Sequence, residues 1–164
     1  MKRLSIGVIV CVAMAAGAAA QTPKYGVTVK AEKKVDFAKF KTYTWTQGQP
    51  SHDKTVDAQI VAAVDRELGV LGMTKAASGT GDVMATYYSL SRTDVNLKGE
   101  PDASGALPQY PVGTLMVALL EPGTRRRLLQ LRIDKPISAK RDQLEEVINT
   151  AVNELFAKYP TRQK

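Results

Sequence analysis

The stretch Val35-Asp36-Phe37-Ala38-Lys39-Phe40-Lys41-Thr42-Tyr43-Thr44-Trp45 decides the fold. It gathers four aromatics, including the only tryptophan of the chain, into eleven residues. Its rhythm changes partway. Phe37 and Phe40 stand one helical turn apart. Lys41, Tyr43 and Trp45 then alternate with Thr42 and Thr44, the period-two pattern of a strand. The reading is a helical turn that drops a phenylalanine into a core, followed by a strand whose Tyr/Trp face closes it. Aromatic side chains dominate burial energetics, so Phe37, Phe40, Tyr43 and Trp45 are the expected structural core.

Working outward, Tyr25 to Glu32 alternates apolar and polar residues and reads as a first strand. Downstream, Gln47 to His52 reads as a loop, and Asp53 is placed to cap a helix. Val56, Ile60, Ala63, Val64, Leu68 and Leu71 recur at helical spacing, and Gly72 supplies a C-terminal stop. Gly69, inside that helix, disfavours it by about 1 kcal/mol relative to alanine, and close packing against a strand is the expected reason. Val83 to Leu90 is apolar on both faces, as a central strand requires. Arg92 to Pro111 is rich in Gly and Pro and reads as a mobile excursion between two hairpin strands, with an ordered binding loop as the alternative. Thr114 to Leu120 and Arg125 to Asp134 form further strands around a turn at Glu121 to Thr124. A last amphipathic helix, capped by Ser138, carries Leu144, Val147, Ile148, Ala151, Val152 and Leu155, with Phe156 and Tyr159 widening the stripe. The expected architecture is α+β. It has two layers: a sheet of about five strands, mostly antiparallel, with two amphipathic helices on one face.

Residues 1–20 read differently from the rest. Lys2 and Arg3 precede an apolar run from Leu4 to Ala16, then small residues through Ala20. This is the grading of a secretory signal peptide with cleavage near Ala20, leaving residues 21–164 as a single domain in the periplasm or outside the cell. The run is shorter than the roughly 20 apolar residues a bilayer span needs, and no later stretch is long enough, so no transmembrane helix is expected in the mature chain. Loss of Lys2 and Arg3 takes the formal charge from +7 to +5. Cys11, the only cysteine, leaves with the signal. No disulfide, thiolate metal site or cysteine nucleophile then exists. Lipid attachment at Cys11 is the alternative; it is disfavoured because Val10 precedes it and the apolar run continues beyond.

The chemistry is sparse. His52 is the only histidine, and Ser51-His52-Asp53 cannot form a triad because a triad needs side chains converging from separate places. Zinc, copper and calcium spacings are missing, so no metal and no cofactor is expected. No catalytic residue is assigned. Tyr87 and Tyr88 are read as strand core rather than as a platform for stacking bases. The sharpest charged feature is Arg125-Arg126-Arg127, a candidate contact for an anion or partner in the envelope: a protein, a lipid headgroup or a glycan. The competing reading is a solvated hairpin end that protects a sheet edge. Nucleic acid is not an expected partner of an exported chain. The expected role is binding or scaffolding rather than catalysis. The alternatives are a carboxylate-dependent hydrolase of envelope glycans and a structural, stress-related envelope protein.

Several of these motifs together resemble a bacterial envelope family, domain of unknown function 4136 (DUF4136). They are Val35-Asp36-Phe37 with Phe40 to Trp45, Leu71-Gly72-Met73, Asp82-Val83 leading to Tyr87 and Tyr88, Gly113 to Val117, and Phe156 with Tyr159-Pro160. The resemblance implies an α+β envelope protein and supplies no catalytic residues. Two departures stand out. Many relatives look like lipoproteins, and many carry a tryptophan where this chain has Leu128-Leu129-Gln130, so any ligand contact made by that tryptophan would be missing here.

Overall fold

The computed structural model describes residues 25–137 and 141–162. The expected signal segment with Cys11, and the expected cap Ser138, lie outside the described residues. In chain order the elements are β1 (Gly26–Ala31), β2 (Thr42–Trp45), α1 (Lys54–Val70), β3 (Thr74–Lys75), β4 (Val83–Val95), β5 (Gln109–Leu120), β6 (Arg127–Pro136) and α2 (Leu144–Phe156). The strands form one six-stranded sheet in the order β1-β6-β5-β4-β2-β3. Its β1-β6-β5-β4 part is antiparallel. β2 runs parallel to β4 and β3. Parallel neighbours need a crossover, and α1 provides it between β2 and β4. The fold is therefore the expected α+β arrangement, with a mixed sheet and one strand more.

The aromatic stretch forms as its rhythm predicts. Asp36 caps a short 3-10 turn, Phe37–Lys39, by accepting from the Ala38 amide at 3.1 Å. β2 follows directly. Phe37 and Tyr43 are buried, while Phe40 and Trp45 are half-buried and pack against the core. The four divide between two centres. Phe37 meets Phe40 and Tyr159 edge-on, beneath the end of α2, and Tyr159 in turn stacks on Phe156. Trp45 meets Tyr87 edge-on, and Trp45 and Tyr43 both donate to Asp65 of α1, at 2.8 and 2.7 Å. Tyr87 donates to Asp57, also on α1. Burial together with that carboxylate pushes the Tyr87 phenol up to about 12. The strand aromatics thus satisfy their polar tips on the helix that covers them, as buried Tyr and Trp require.

A clasp fixes β2 against β4. Asp82 accepts from the Lys41 and Thr42 amides at 2.8 and 2.9 Å, and its own amide donates to the Thr42 hydroxyl at 3.0 Å. Those amide donors hold the Asp82 carboxyl below its ordinary range. Gly81 beside it lies so close to Tyr43 that an added Cβ would sit 2.6 Å from the Tyr43 Cα. α1 ends as expected: Gly72 is left-handed at φ +81°, and Met73 donates back to the Leu68 carbonyl at 3.0 Å, closing a Schellman turn.

Three expectations change. Gly69 is exposed and a Cβ there would meet nothing within 4 Å, so close packing does not account for it. The stretch 92–111 is not one irregular excursion. β4 and β5 stay paired out to Val95 and Gln109, leaving 96–108 as the connection. That connection is organised by Asn96 and Asp102, whose side chains accept from the amides of Lys98, Ser104 and Ala106. Finally, α2 begins at Leu144, after a 3-10 turn at Arg141–Gln143, and it ends at Phe156, so Tyr159, expected to widen its stripe, lies beyond the helix.

Candidate functional site

Both helices lie on the face of the sheet formed by Val83, Ala85, Tyr87, Val117, Leu119, Leu129 and Leu131. Their apolar stripes are not covered evenly. Ala63, Val64 and Leu68 of α1, and Val152, Leu155 and Phe156 of α2, are buried. Val56 near the start of α1, and Leu144, Val147 and Ile148 at the start of α2, are only half-buried. Between these N-terminal halves the layer opens into a cleft of about 590 Å³. Val56 and Ile60 form one wall, Leu144, Val147, Ile148 and Ala151 the other, and Leu115 and Ile133 lie on the floor. Gly113 makes room at the end of the floor. A Cβ there would meet the Ile137 side chain at 2.8 Å. Polar groups stay near the rim: Ser51 and His52 before α1, Ser89 and Ser91 on β4, and Lys135 on β6, which pairs with Glu154 of α2. Asp53 also lines the cleft; its Oδ1 accepts from the Thr55 and Val56 amides as the helix cap.

The arginine triplet sits elsewhere, at the β5–β6 turn. Arg126 faces Glu121 and Glu32, donating to Glu121 at 3.1 and 3.3 Å and lying 3.6 Å from Glu32. The Glu121 carboxyl is held below its usual range by Arg126 first and Thr124 second. Arg125 and Arg127 point away from that pair. With Thr46, Gln47, Tyr88, Met116, Ala118 and Leu120 they line a second concavity of about 330 Å³, on the sheet face opposite α1 and α2. The triplet is therefore split: Arg126 braces the turn, and Arg125 and Arg127 share a pocket. Tyr88 belongs to this face and not to the core that holds Tyr87.

A polar network farther along the same face has no counterpart among the motifs singled out in the sequence. Asp134 on β6 accepts from Arg132 at 2.8 and 2.9 Å, from Arg92 of β4 at 2.9 Å and from Thr114 of β5 at 2.6 Å. Arg92 also grips Asp94, which accepts from Tyr25 at 2.9 Å, and Tyr25 meets Tyr110. Arg132 foremost drives the Asp134 carboxyl far below the ordinary range, and Arg92 foremost lowers that of Asp94. The charges close on one another, so the network ties β4, β5 and β6 together and joins to them Tyr25, the residue before β1. A signal for it exists: Arg92-Thr93-Asp94 and Arg132-Ile133-Asp134 are the same R-x-D pattern, which puts both charges on one strand face. Among the described residues, no three His, Cys, Asp or Glu side chains gather as a metal site, and no helix is long and apolar enough to cross a membrane.

Fold and cleft together define a class: a two-layer α+β domain with an apolar cleft between two helices and a polar rim. The chain belongs to the family described as "Domain of unknown function (DUF4136)", whose model matches residues 27–161. None of the curated proteins matches the chain. Among solved structures it is similar to a PDZ domain protein from Parabacteroides distasonis, with TM-score 0.59 and 13% identity over 85% of this chain. This chain spans 36% of that protein's length. It is also similar to PelC from Paraburkholderia phytofirmans, a dodecamer, with TM-score 0.54 and 8% identity over 82% of this chain and 96% of the other. At those identities the likeness is one of fold.

Proposed function

We propose that this is an exported cell-envelope domain that works by binding, and that the cleft between the helices takes a neutral or weakly polar amphiphile with one apolar chain. The observation that carries the reading is the cleft: about 590 Å³, with apolar walls and floor and hydroxyl groups at the mouth. Ligand pockets typically combine such a lining with a few polar groups that orient the ligand. A ligand chain there would bury Leu144, Val147 and Ile148, the part of the α2 stripe the fold leaves half-covered. Asp53 is the one carboxylate in the lining, and it is engaged as a helix cap. A two-carboxylate glycan hydrolase has no pair to use in this cleft, and a purely structural role gives no reason for its volume. Export and removal of residues 1–20 rest on the graded N-terminal sequence. The N-terminal residue of the protein isolated from the envelope tests this, with Gln21 expected.

The binding test is titration of the protein with 1-lauroylglycerol below its aggregation threshold, followed by displacement of a fluorescent apolar probe. Ile148→Glu puts a charge into the wall at a half-exposed position that tolerates it in the folded state. It should weaken binding at least about tenfold. Equal binding by a folded Ile148→Glu protein would refute the cleft as the site.

A further inference from the structure

We propose that Arg125 and Arg127 form an anion-binding pocket on the sheet face opposite α1 and α2, which takes a phosphate or carboxylate group carried on a sugar-sized body. The two residues line one concavity, and among the described residues neither forms an ion pair. Arg126 between them is committed to Glu121 and Glu32, so alternation along the chain separates a bracing arginine from two available ones. Guanidinium groups present planar donor forks suited to phosphate and carboxylate oxygens. An anion entering the concavity that both residues line gains from both positive charges.

The backbone supplies a second, independent observation. Arg125 is left-handed at φ +57°, the only non-glycine described with a positive φ. Glycine fills such a position without the steric penalty that an arginine carries. Strained backbone of this kind gathers at functional sites. Here the strain follows Gly123, also left-handed, and precedes the bulge where Leu120 pairs with Arg127. Together these turns deliver Arg125 to the same pocket as Arg127.

The rest of the lining narrows the ligand. Met116, Ala118 and Leu120 form an apolar floor, the Tyr88 ring is half-buried there, and Thr46 and Gln47 add neutral hydrogen-bonding groups. A bare ion would use only the arginines. A ring bearing an anionic group would also use the tyrosine face and the amide and hydroxyl groups, within about 330 Å³.

Calorimetric titration of the full chain with inorganic phosphate, with glucose 6-phosphate and with phosphatidylglycerol vesicles tests this, with phosphatidylcholine vesicles as the control. Glucose 6-phosphate should bind more tightly than inorganic phosphate, and ~0.5 M salt should weaken both. Arg125→Gly removes the cation and relieves the backbone, so this variant should melt no lower than the parent while binding at least about tenfold more weakly. Arg127→Ser should behave likewise in binding. Arg126→Ser should lower the melting temperature and leave the affinity unchanged. Binding of phosphatidylglycerol vesicles with no response to glucose 6-phosphate would assign the same pocket to a lipid headgroup, provided Arg125→Gly abolishes it. Undiminished binding in Arg125→Gly and Arg127→Ser, an equal loss in Arg126→Ser, or no binding of any of these anions would overturn the proposal.

Discussion

The two ends of the helix layer receive similar side chains and treat them differently. At the C-terminal end the stripes close. Val152, Leu155 and Phe156 lie against the core, Tyr159 stacks on Phe156, and Phe37 packs edge-on to Tyr159 from the aromatic turn. Even a charge is accommodated there. Glu67, 5% exposed, is held by Arg162 at 3.0 Å and Asn153 at 3.4 Å. At the N-terminal end the same kind of stripe stands apart from its neighbour, and Leu144, Val147 and Ile148 face a cleft. One end is built to hold the fold and the other keeps apolar surface available. The hydrophobic effect acts on both; the difference lies in whether the chain itself supplies the covering side chain.

That contrast predicts unequal responses to truncation. Phe156→Ala at the closed end should destabilise by about 3–5 kcal/mol, the range for deleting a buried aromatic, as read by urea unfolding. A loss comparable to that of an exposed position would show that the closed end is not the anchor.

The Asp134 network lies on the opposite face of the sheet, meets the cleft lining only at Thr114, and should act mainly on stability. Asp134→Asn should cost about 2 kcal/mol. That is less than a fully buried charge pair would lose, because the Arg92 and Arg132 side chains are 40% and 44% exposed and screened by water. The pH dependence follows the same logic. The folded-state pKa values of Asp134, Asp94 and Asp82 are depressed. Their contribution is therefore fully present above the unfolded carboxylate range near pH ~4 and is lost progressively as pH falls from there through the lower folded-state values. Melting temperature should drop on acidification below about pH 4, less steeply in Asp134→Asn. A parallel drop in both proteins would remove Asp134 from the explanation.

Gly69 gives the smallest expected effect, and it has the opposite sign. It is exposed near the closed end of α1, with free space where a Cβ would stand. Gly69→Ala should raise stability by about 0.5–1 kcal/mol and leave amphiphile binding unchanged. A loss of stability would mean that the helix needs the glycine for a reason the packing does not show.

Much of the fold was legible because it is written in local periodicity. The aromatic turn, both helical stripes and the apolar strands obey their repeats residue by residue. The rest depends on partners distant in sequence. β3 is two exposed residues, Thr74 and Lys75, placed beside β2 by the Thr74 amide and hydroxyl, which donate to the Lys41 carbonyl, and by the Ala76 amide just beyond, which donates to the Tyr43 carbonyl. The outer ends of β4 and β5 contain Thr93, Asp94 and Pro111, which carry no apolar alternation and are ordered by pairing across the hairpin. The site was legible in part. The cleft-lining residues of α2 read as a buried face, and nothing local says that their covering is incomplete. The arginine triplet read as one charge cluster. A left-handed residue and a bulge, neither visible in composition, divide it.

The cleft claim is tested most directly by following amide chemical shifts while 1-lauroylglycerol is added. The account predicts shifts confined to the open end, at Gly113, Ile133, Val147 and Ile148, with Val152, Leu155 and Phe156 unmoved. Shifts spread evenly along α2, or no shifts at all, would contradict it.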